Sequence, residues 1–252
     1  MYDIFQEFGL QCFDGYKICE MQSRERIKRN KGLASAFQEL NGGLRPVCEI
    51  HELPLAMTWV PCSACNGLLR GQLWSKDGFS TGVEFCADIN SPLTDFLKIG
   101  KSSHLRKGLV ARRALSSLNM LYCSDITQLS VDEYPLVPYA RRCKLSGWFT
   151  ICLQSFYTGN DIYVLEFFLP ARSKVDENIP TKLSFILGTM EKNFKTFRLA
   201  SGKELGELMS VDIIDFQNDQ KMCSVQSIQA TRDFSILSSD LSSEQSSASV
   251  SN

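Results

Sequence analysis

Trp148-Phe-Thr-Ile-Cys-Leu-Gln-Ser-Phe156, followed by Thr158-Gly159-Asn160-Asp161 and then Ile162-Tyr-Val-Leu-Glu-Phe-Phe-Leu169, is the stretch that decides the fold. Two runs of β-branched and aromatic residues flank a four-residue stretch of turn chemistry, which predicts an antiparallel hairpin. The aromatics Trp148, Phe149, Tyr163, Phe167 and Phe168 sit inside those runs. They therefore read as core rather than as a platform for a cofactor.

Working outward, Leu183, Ile186, Leu187, Met190, Phe194 and Phe197 recur at helical spacing, with Pro180 in the first turn and Gly202 past the end. A helix with one apolar stripe must cover a sheet. Upstream, Leu55 to Val60 reads as a strand ended by Pro61, and Val83 to Cys86 as a second short strand, with a Gly-rich polar loop between them. Residues 91–116 look helical in pieces, and Asp132 to Cys143 looks like a helix. Leu33, Ala36, Phe37 and Leu40 begin an earlier helix, which Gly42, Gly43 and Pro46 are expected to weaken. Residues 1–23 show no period and read as an irregular leader, residues 24–216 as one domain, and residues 217–252, Ser-rich toward the end, as a disordered tail. The order of elements is α+β, an antiparallel sheet with helices packed against it.

Composition narrows the function classes. The chain has 252 residues, 44% hydrophobic and 22% charged, which excludes a disordered, collagen-like or fibrous protein. A net charge of −1 provides no field that would draw it to nucleic acid or an anionic bilayer, so no direct DNA binding is expected. No run approaches the roughly 18–20 apolar residues of a membrane span, and the first residues lack a secretory pattern, so a soluble intracellular protein is expected. Ten scattered cysteines read as reduced thiols, several of them buried.

Catalytic and metal signatures are sparse. His51-Glu52-Leu53-Pro54-Leu55 starts like a zinc-protease helix, but its fifth residue is Leu and Pro54 would break the turn. The nucleophile-elbow, dinucleotide, P-loop and EF-hand motifs do not occur. Cys62 and Cys65 form one CxxC, the basis of an alternative reading as a thiol redox protein; the Asn66-Gly67 that follows favours loop thiols. Glu84, Asp88 and Asp95 read as solvated acids, and Arg112-Arg113 and Arg141-Arg142 as surface bases. No catalytic residue, metal or cofactor is predicted.

Four longer strings are distinctive: Leu53-Pro-Leu-Ala-Met-Thr-Trp-Val-Pro-Cys62, Tyr122-Cys-Ser-Asp-Ile-Thr-Gln128, Glu133-Tyr-Pro-Leu-Val-Pro-Tyr-Ala140 and Tyr157-Thr-Gly-Asn-Asp-Ile-Tyr-Val-Leu-Glu-Phe-Phe-Leu-Pro170. In order, from about Leu33 to Asp215, the chain resembles the plant NIN-like proteins, the nodule-inception-related transcription factors. The resemblance implies a non-catalytic GAF-like sensory and regulatory domain. In that family such a domain receives nitrate and controls a downstream RWP-RK DNA-binding domain, with regulatory protein partners and a nuclear and cytoplasmic location. No Arg-Trp-Pro string occurs here, so the chain is expected to be the sensor part alone, a truncated form that competes with longer relatives for partners if it acts purely by interaction.

The resemblance also implies a nitrate pocket described by a Trp, a His, a Leu and a Tyr. On this sequence Thr94 occupies the Trp position, Ser103 the His position, Leu105 the Leu position and Tyr134 the Tyr position. His104, one residue on, is a possible substitute for the lost imidazole. The family string that follows departs as well, with Arg112 where a Gly normally sits. Two of four positions are retained, so binding of nitrate or another small anion is expected to be weak or lost.

Overall fold

The computed structural model describes residues 12–61, 78–88, 92–102, 105–106, 118, 120–159, 161–169, 178–218 and 220–231. The expected leader as far as residue 11, the Gly-rich loop with Cys62 and Cys65, and the last part of the tail lie outside the described residues. So do Ser103, His104 and the stretch from Lys107 to Ser117.

The described elements are α1 (Cys12–Ile50), β1 (Leu55–Pro61), β2 (Gly78–Cys86), α2 (Leu93–Ser102), β3 (Leu105–Arg106), β4 (Met120–Cys123), a 3-10 turn (Ile126–Gln128), α3 (Val137–Arg142), β5 (Trp148–Ser155), β6 (Ile162–Phe168), α4 (Ile179–Asn193), β7 (Phe197–Leu199), β8 (Met209–Gln217) and β9 (Gln220–Ile228). The strands form one sheet in the order β3-β2-β1-β6-β5-β4-β8-β9, with β7 paired to the end of β5. Every pairing is antiparallel except β4 with β8, so the sheet is mixed rather than purely antiparallel. The predicted hairpin forms the centre of the sheet, its register running from Trp148↔Phe168 to Gln154↔Ile162.

Because strand side chains alternate, the sheet has two buried faces. Face A carries Ala56, Val60, Phe149, Ile151, Leu153, Tyr163, Leu165 and Phe167. It is covered by α1 through Ala36, Leu40, Leu44 and Val47, and by α4 through Leu183, Ile186, Leu187 and Met190. Phe149 stacks on Phe167 with ring centroids 4.8 Å apart. Face B carries Leu55, Met57, Trp59, Leu121, Trp148, Cys152, Val164 and Phe168, and is covered by α2, the 3-10 turn and α3. A strand buried on both faces has no polar side to alternate with, hence the nearly continuous apolar runs of β5 and β6.

Several sequence expectations are corrected. Residues 12–23, read as irregular, belong to α1, and that helix runs unbroken through Gly42, Gly43 and Pro46 to Ile50. Tertiary packing overrides the weak local propensity: a Cβ at Gly43 would stand 2.5 Å from the Phe194 ring, so the glycine is what lets α1 approach. The helix ends with Glu52 at φ 52° while the Leu53 amide donates to the Cys48 carbonyl at 2.8 Å, a left-handed cap. Of the residues placed in the tail, Gln217 completes β8 and Gln220–Ile228 form the edge strand β9. The apolar stripe of α4 overran its helix, since Phe194 is its cap and Phe197 lies in β7. The helix expected from Asp132 starts only at Val137: Pro135 removes an amide donor and biases Tyr134 before it away from helix, whereas Pro138 sits in the first turn of the helix, where no amide donor is needed.

Candidate functional site

The site is built on the middle of face B. Pairing places Met57 of β1 beside Glu166 of β6, Glu166 beside Thr150 of β5, Thr150 beside Leu121 of β4, and Leu121 beside Asp212 of β8. These five residues form one row across the sheet, and Glu84 of β2, opposite Met57, extends it. Glu166 is 1% exposed and lies at the centre of the domain. Trp59 and Trp148 stand diagonally on either side of it, two residues along from the positions that pair in its row.

The segment before α3 delivers the partner of Glu166. Ser130-Val-Asp-Glu133 closes a capping box: the Glu133 carboxylate accepts from the Ser130 amide at 3.0 Å, and the Glu133 amide donates to the Ser130 hydroxyl at 3.2 Å. Glu133 also pairs with Lys221 of β9. Arg141, exposed at the surface as expected, also ties the same region down by donating to the carbonyls of Thr127 and Leu129 at 2.9 and 3.3 Å. Held in this way, Tyr134 packs on Trp148 with centroids 5.6 Å apart and donates its hydroxyl to Glu166 Oε2 at 3.1 Å.

Burial pushes the Glu166 carboxyl up to about 7. The Trp59 indole lies near enough to oppose that rise but not in hydrogen-bond geometry. Burial and the neighbouring Glu166 push the Tyr134 phenol well above its ordinary value, so it stays protonated. Trp59 Nε1, Trp148 Nε1 and Thr150 Oγ1 are buried donors with no hydrogen-bond partner among the described residues. Each such orphan costs about 1–3 kcal/mol, which makes the patch expensive as pure core. Donors that converge on a dry patch can instead hold a ligand's oxygen atoms.

Thr94 lies half-buried in the first turn of α2, and Phe96, two residues on, meets Phe168 edge-on with centroids 5.2 Å apart. Thr94 and Tyr134 thus belong to segments that meet the same patch around Phe168 and Trp148. Leu105 lies on β3 at the far edge of the sheet, pairing with Phe79. Sequence reasoning did not single out Glu166, although one acid inside Ile-Tyr-Val-Leu-Glu-Phe-Phe, a strand buried on both faces, was a signal available to it. Of the acids read as solvated, Asp88 and Asp95 are exposed and Asp95 pairs with Lys98 at 3.2 Å, but Glu84 is half-buried. The aromatics of the hairpin are core, as expected, and divide between the two faces. Cys48, Cys123 and Cys152 are free buried thiols pushed up to about 12 by burial. Among the described residues, no group of three or more His, Cys, Asp or Glu could hold a metal, and no helix is long and apolar enough to cross a membrane.

A mixed sheet with a pair of long helices on one face, and short helices closing over a buried polar patch on the other, defines an α+β domain of the GAF-like class. Residues 27–198 match the family described as the NLP protein GAF domain, and the chain belongs to that family. It is 39% identical to Protein NLP7 of Arabidopsis thaliana over 77% of its own length and 22% of the relative's. It is 36% identical to Protein NLP6 of the same plant over 75% of its length and 24% of the relative's. The chain therefore spans about a quarter of the length of these relatives. Among solved structures, it is similar to a GAF domain/HD domain protein from Geobacter sulfurreducens, with TM-score 0.44 and 9% identity over 63% of this chain and 89% of that one. It is also similar to an NreA protein from Staphylococcus aureus mutated in its nitrate binding site, with TM-score 0.35 and 14% identity over 57% of this chain and 94% of that one.

Proposed function

We propose that this chain is a non-catalytic sensory and regulatory domain of a NIN-like transcription factor, acting in nitrate-responsive transcription through a small-anion site on face B that holds nitrate weakly. The observation that carries the reading is the buried Tyr134 hydroxyl, at one of the family's pocket positions, set among orphaned indole and hydroxyl donors. A nitrate ion leaves water only where donors converge on its oxygens. Thr94 and Ser103 stand where the family has an indole and an imidazole, and their shorter hydroxyls leave a gap. Losing two hydrogen bonds to a charged group, at about 1.5–3 kcal/mol each, weakens binding roughly a hundredfold or more. DNA reading is not assigned to this chain, whose net charge is −1. Its output is through protein partners, in the nucleus.

Calorimetric titration of nitrate into the wild-type chain and the Thr94→Trp/Ser103→His double variant tests this reading. The double variant is expected to bind at least a hundredfold more tightly. Wild-type affinity equal to or tighter than that of the double variant would overturn it.

A further inference from the structure

We propose that protonation of Glu166 turns its hydrogen bond with Tyr134 around, freeing the phenol proton for a bound oxyanion, so that anion binding on face B takes up one proton. The inference rests on the small-anion reading of this face and adds to it a condition on Glu166.

A phenol has one proton to give. With Glu166 ionised, its carboxylate can only accept, and the Tyr134 proton is committed to Oε2 at 3.1 Å. Tyr134 then presents only lone pairs to anything else in the site, and an anion meets both those lone pairs and a buried negative charge. With Glu166 protonated, the carboxylic acid becomes the donor and Tyr134 Oη the acceptor. The phenol O–H is then free to point at an anion, alongside the unpartnered Trp59 and Trp148 indoles and the Thr150 hydroxyl. The proton balance is simple: one carboxylate, one proton and one oxyanion become one carboxylic acid and one bound oxyanion. The buried site carries a single negative charge before and after, instead of two.

The surroundings of Glu166 favour this exchange. From β1 and β5 it is faced by Met57, Trp59, Trp148 and Thr150, and from β4 by Leu121, none of them charged. The charged residues along its row are acids, Glu84 on β2 and Asp212 on β8. Next to Tyr134, Glu133 is paired with Lys221. On α3 the Arg141 guanidinium is taken up by two backbone carbonyls, and Arg142 is exposed. On α2, Asp95 and Lys98 pair with one another at the exposed surface. Among these described groups, none is a cation placed to hold Glu166 ionised, and burial brings its titration to about pH 7. The phenol does not compete for the role, because it stays protonated.

The test is a titration of sodium nitrate into the whole chain at pH 6 and pH 8, at constant ionic strength set with sodium chloride. It is read by NMR at the indole N–H signals of Trp59 and Trp148, which suits weak binding. The wild type is expected to bind about tenfold more tightly at pH 6 than at pH 8, since one proton taken up gives a tenfold change per pH unit above the carboxyl's titration. Glu166→Gln, whose amide can donate to Tyr134 Oη at any pH, is expected to remove the pH dependence and to keep the pH 6 affinity at pH 8. Tyr134→Phe is expected to lose the gain seen at pH 6 while keeping the wild-type fold by circular dichroism. Equal wild-type affinity at the two pH values would overturn the proton link and leave the anion reading in place. So would a pH dependence that survives Glu166→Gln in a folded chain. No nitrate-induced shift at either pH would also overturn the link, and the anion reading then stands or falls on the Thr94→Trp/Ser103→His variant.

Discussion

The two faces of one sheet are packed to different rules. Face A meets two long helices, and the polar groups that join them are tied off, while the Thr58 hydroxyl is its one orphan among the described strand residues. Glu39 of α1 accepts from the amides of Lys195 and Thr196 and from the Thr196 hydroxyl, joining α1 to the turn before β7. His51 Nε2 meets Thr189 Oγ1 at 2.8 Å; because that hydroxyl donates to the Phe185 carbonyl at 3.2 Å, the imidazole is the donor. Face B meets short helices and turns, and it buries a carboxyl and three orphaned donors. Continuous apolar packing is thus concentrated under the long helices, and most of the unsatisfied polarity of the strands lies under the short ones. Face A offsets the cost of face B.

Removing a large ring from face A should do the most damage. Phe149→Ala deletes one member of the Phe149–Phe167 stack from a fully buried position, and a loss of about 3–5 kcal/mol is expected from the urea denaturation midpoint. A loss under about 1 kcal/mol would mean that face A is not where stability resides.

Glu166→Gln on face B should act in the opposite direction and with a pH signature. The native state keeps the Glu166 proton from the ordinary value of 4.5 up to about 7, where the unfolded chain has already released it. Its stabilising contribution is therefore full below pH 4.5 and is lost as pH rises through 7, a change of roughly 3 kcal/mol. His51 on face A has the reverse sign: burial and then Lys182 lower it from 6.5 to about 4. Its contribution is present above 6.5 and is lost as pH falls through 4. In the wild type the two oppose each other between pH 4.5 and 6.5. In Glu166→Gln, stability is expected to rise steadily from pH 4 to 6.5 and to exceed the wild type at pH 8. Denaturation midpoints across pH 4–8 that coincide for the two chains would contradict this.

Gly43→Ala should cost about 1–3 kcal/mol, because the added methyl drives into the Phe194 ring and pushes α1 away from α4. At an exposed helix position the same change would stabilise, so the sign alone decides, and thermal melts read it. The smallest effect belongs to the outer side of face B's cover. Lys98→Ala breaks an exposed pair with Asp95 and should change stability by no more than about 0.5 kcal/mol. Hydrogen exchange completes the comparison: β5, β6 and α4 are expected to exchange most slowly, and fast exchange in the hairpin would remove it from the core.

Elements whose signal is local are legible in the chain alone. The hairpin of β5 and β6 announces itself through β-formers around a turn, and α4 through its apolar stripe, because each must present a continuous apolar surface whatever packs against it. The α+β class followed from their order. Tertiary structure alone decided the rest. Strand β9, Gln220-Lys-Met-Cys-Ser-Val-Gln-Ser-Ile228, is exposed along nearly its whole length and has no apolar period; it is a strand because β8 offers it a ladder of hydrogen bonds. Gly43 reads as a helix breaker until Phe194, 151 positions later, needs the space. Of the proposed anion site, the sequence delivered Tyr134 through a family likeness but not Glu166, because a carboxyl's partner and protonation are set by what folding brings to it from 32 residues away. Local free energies are written along the chain, whereas burial and the meeting of distant polar groups exist only once the sheet has closed between its two layers of helices.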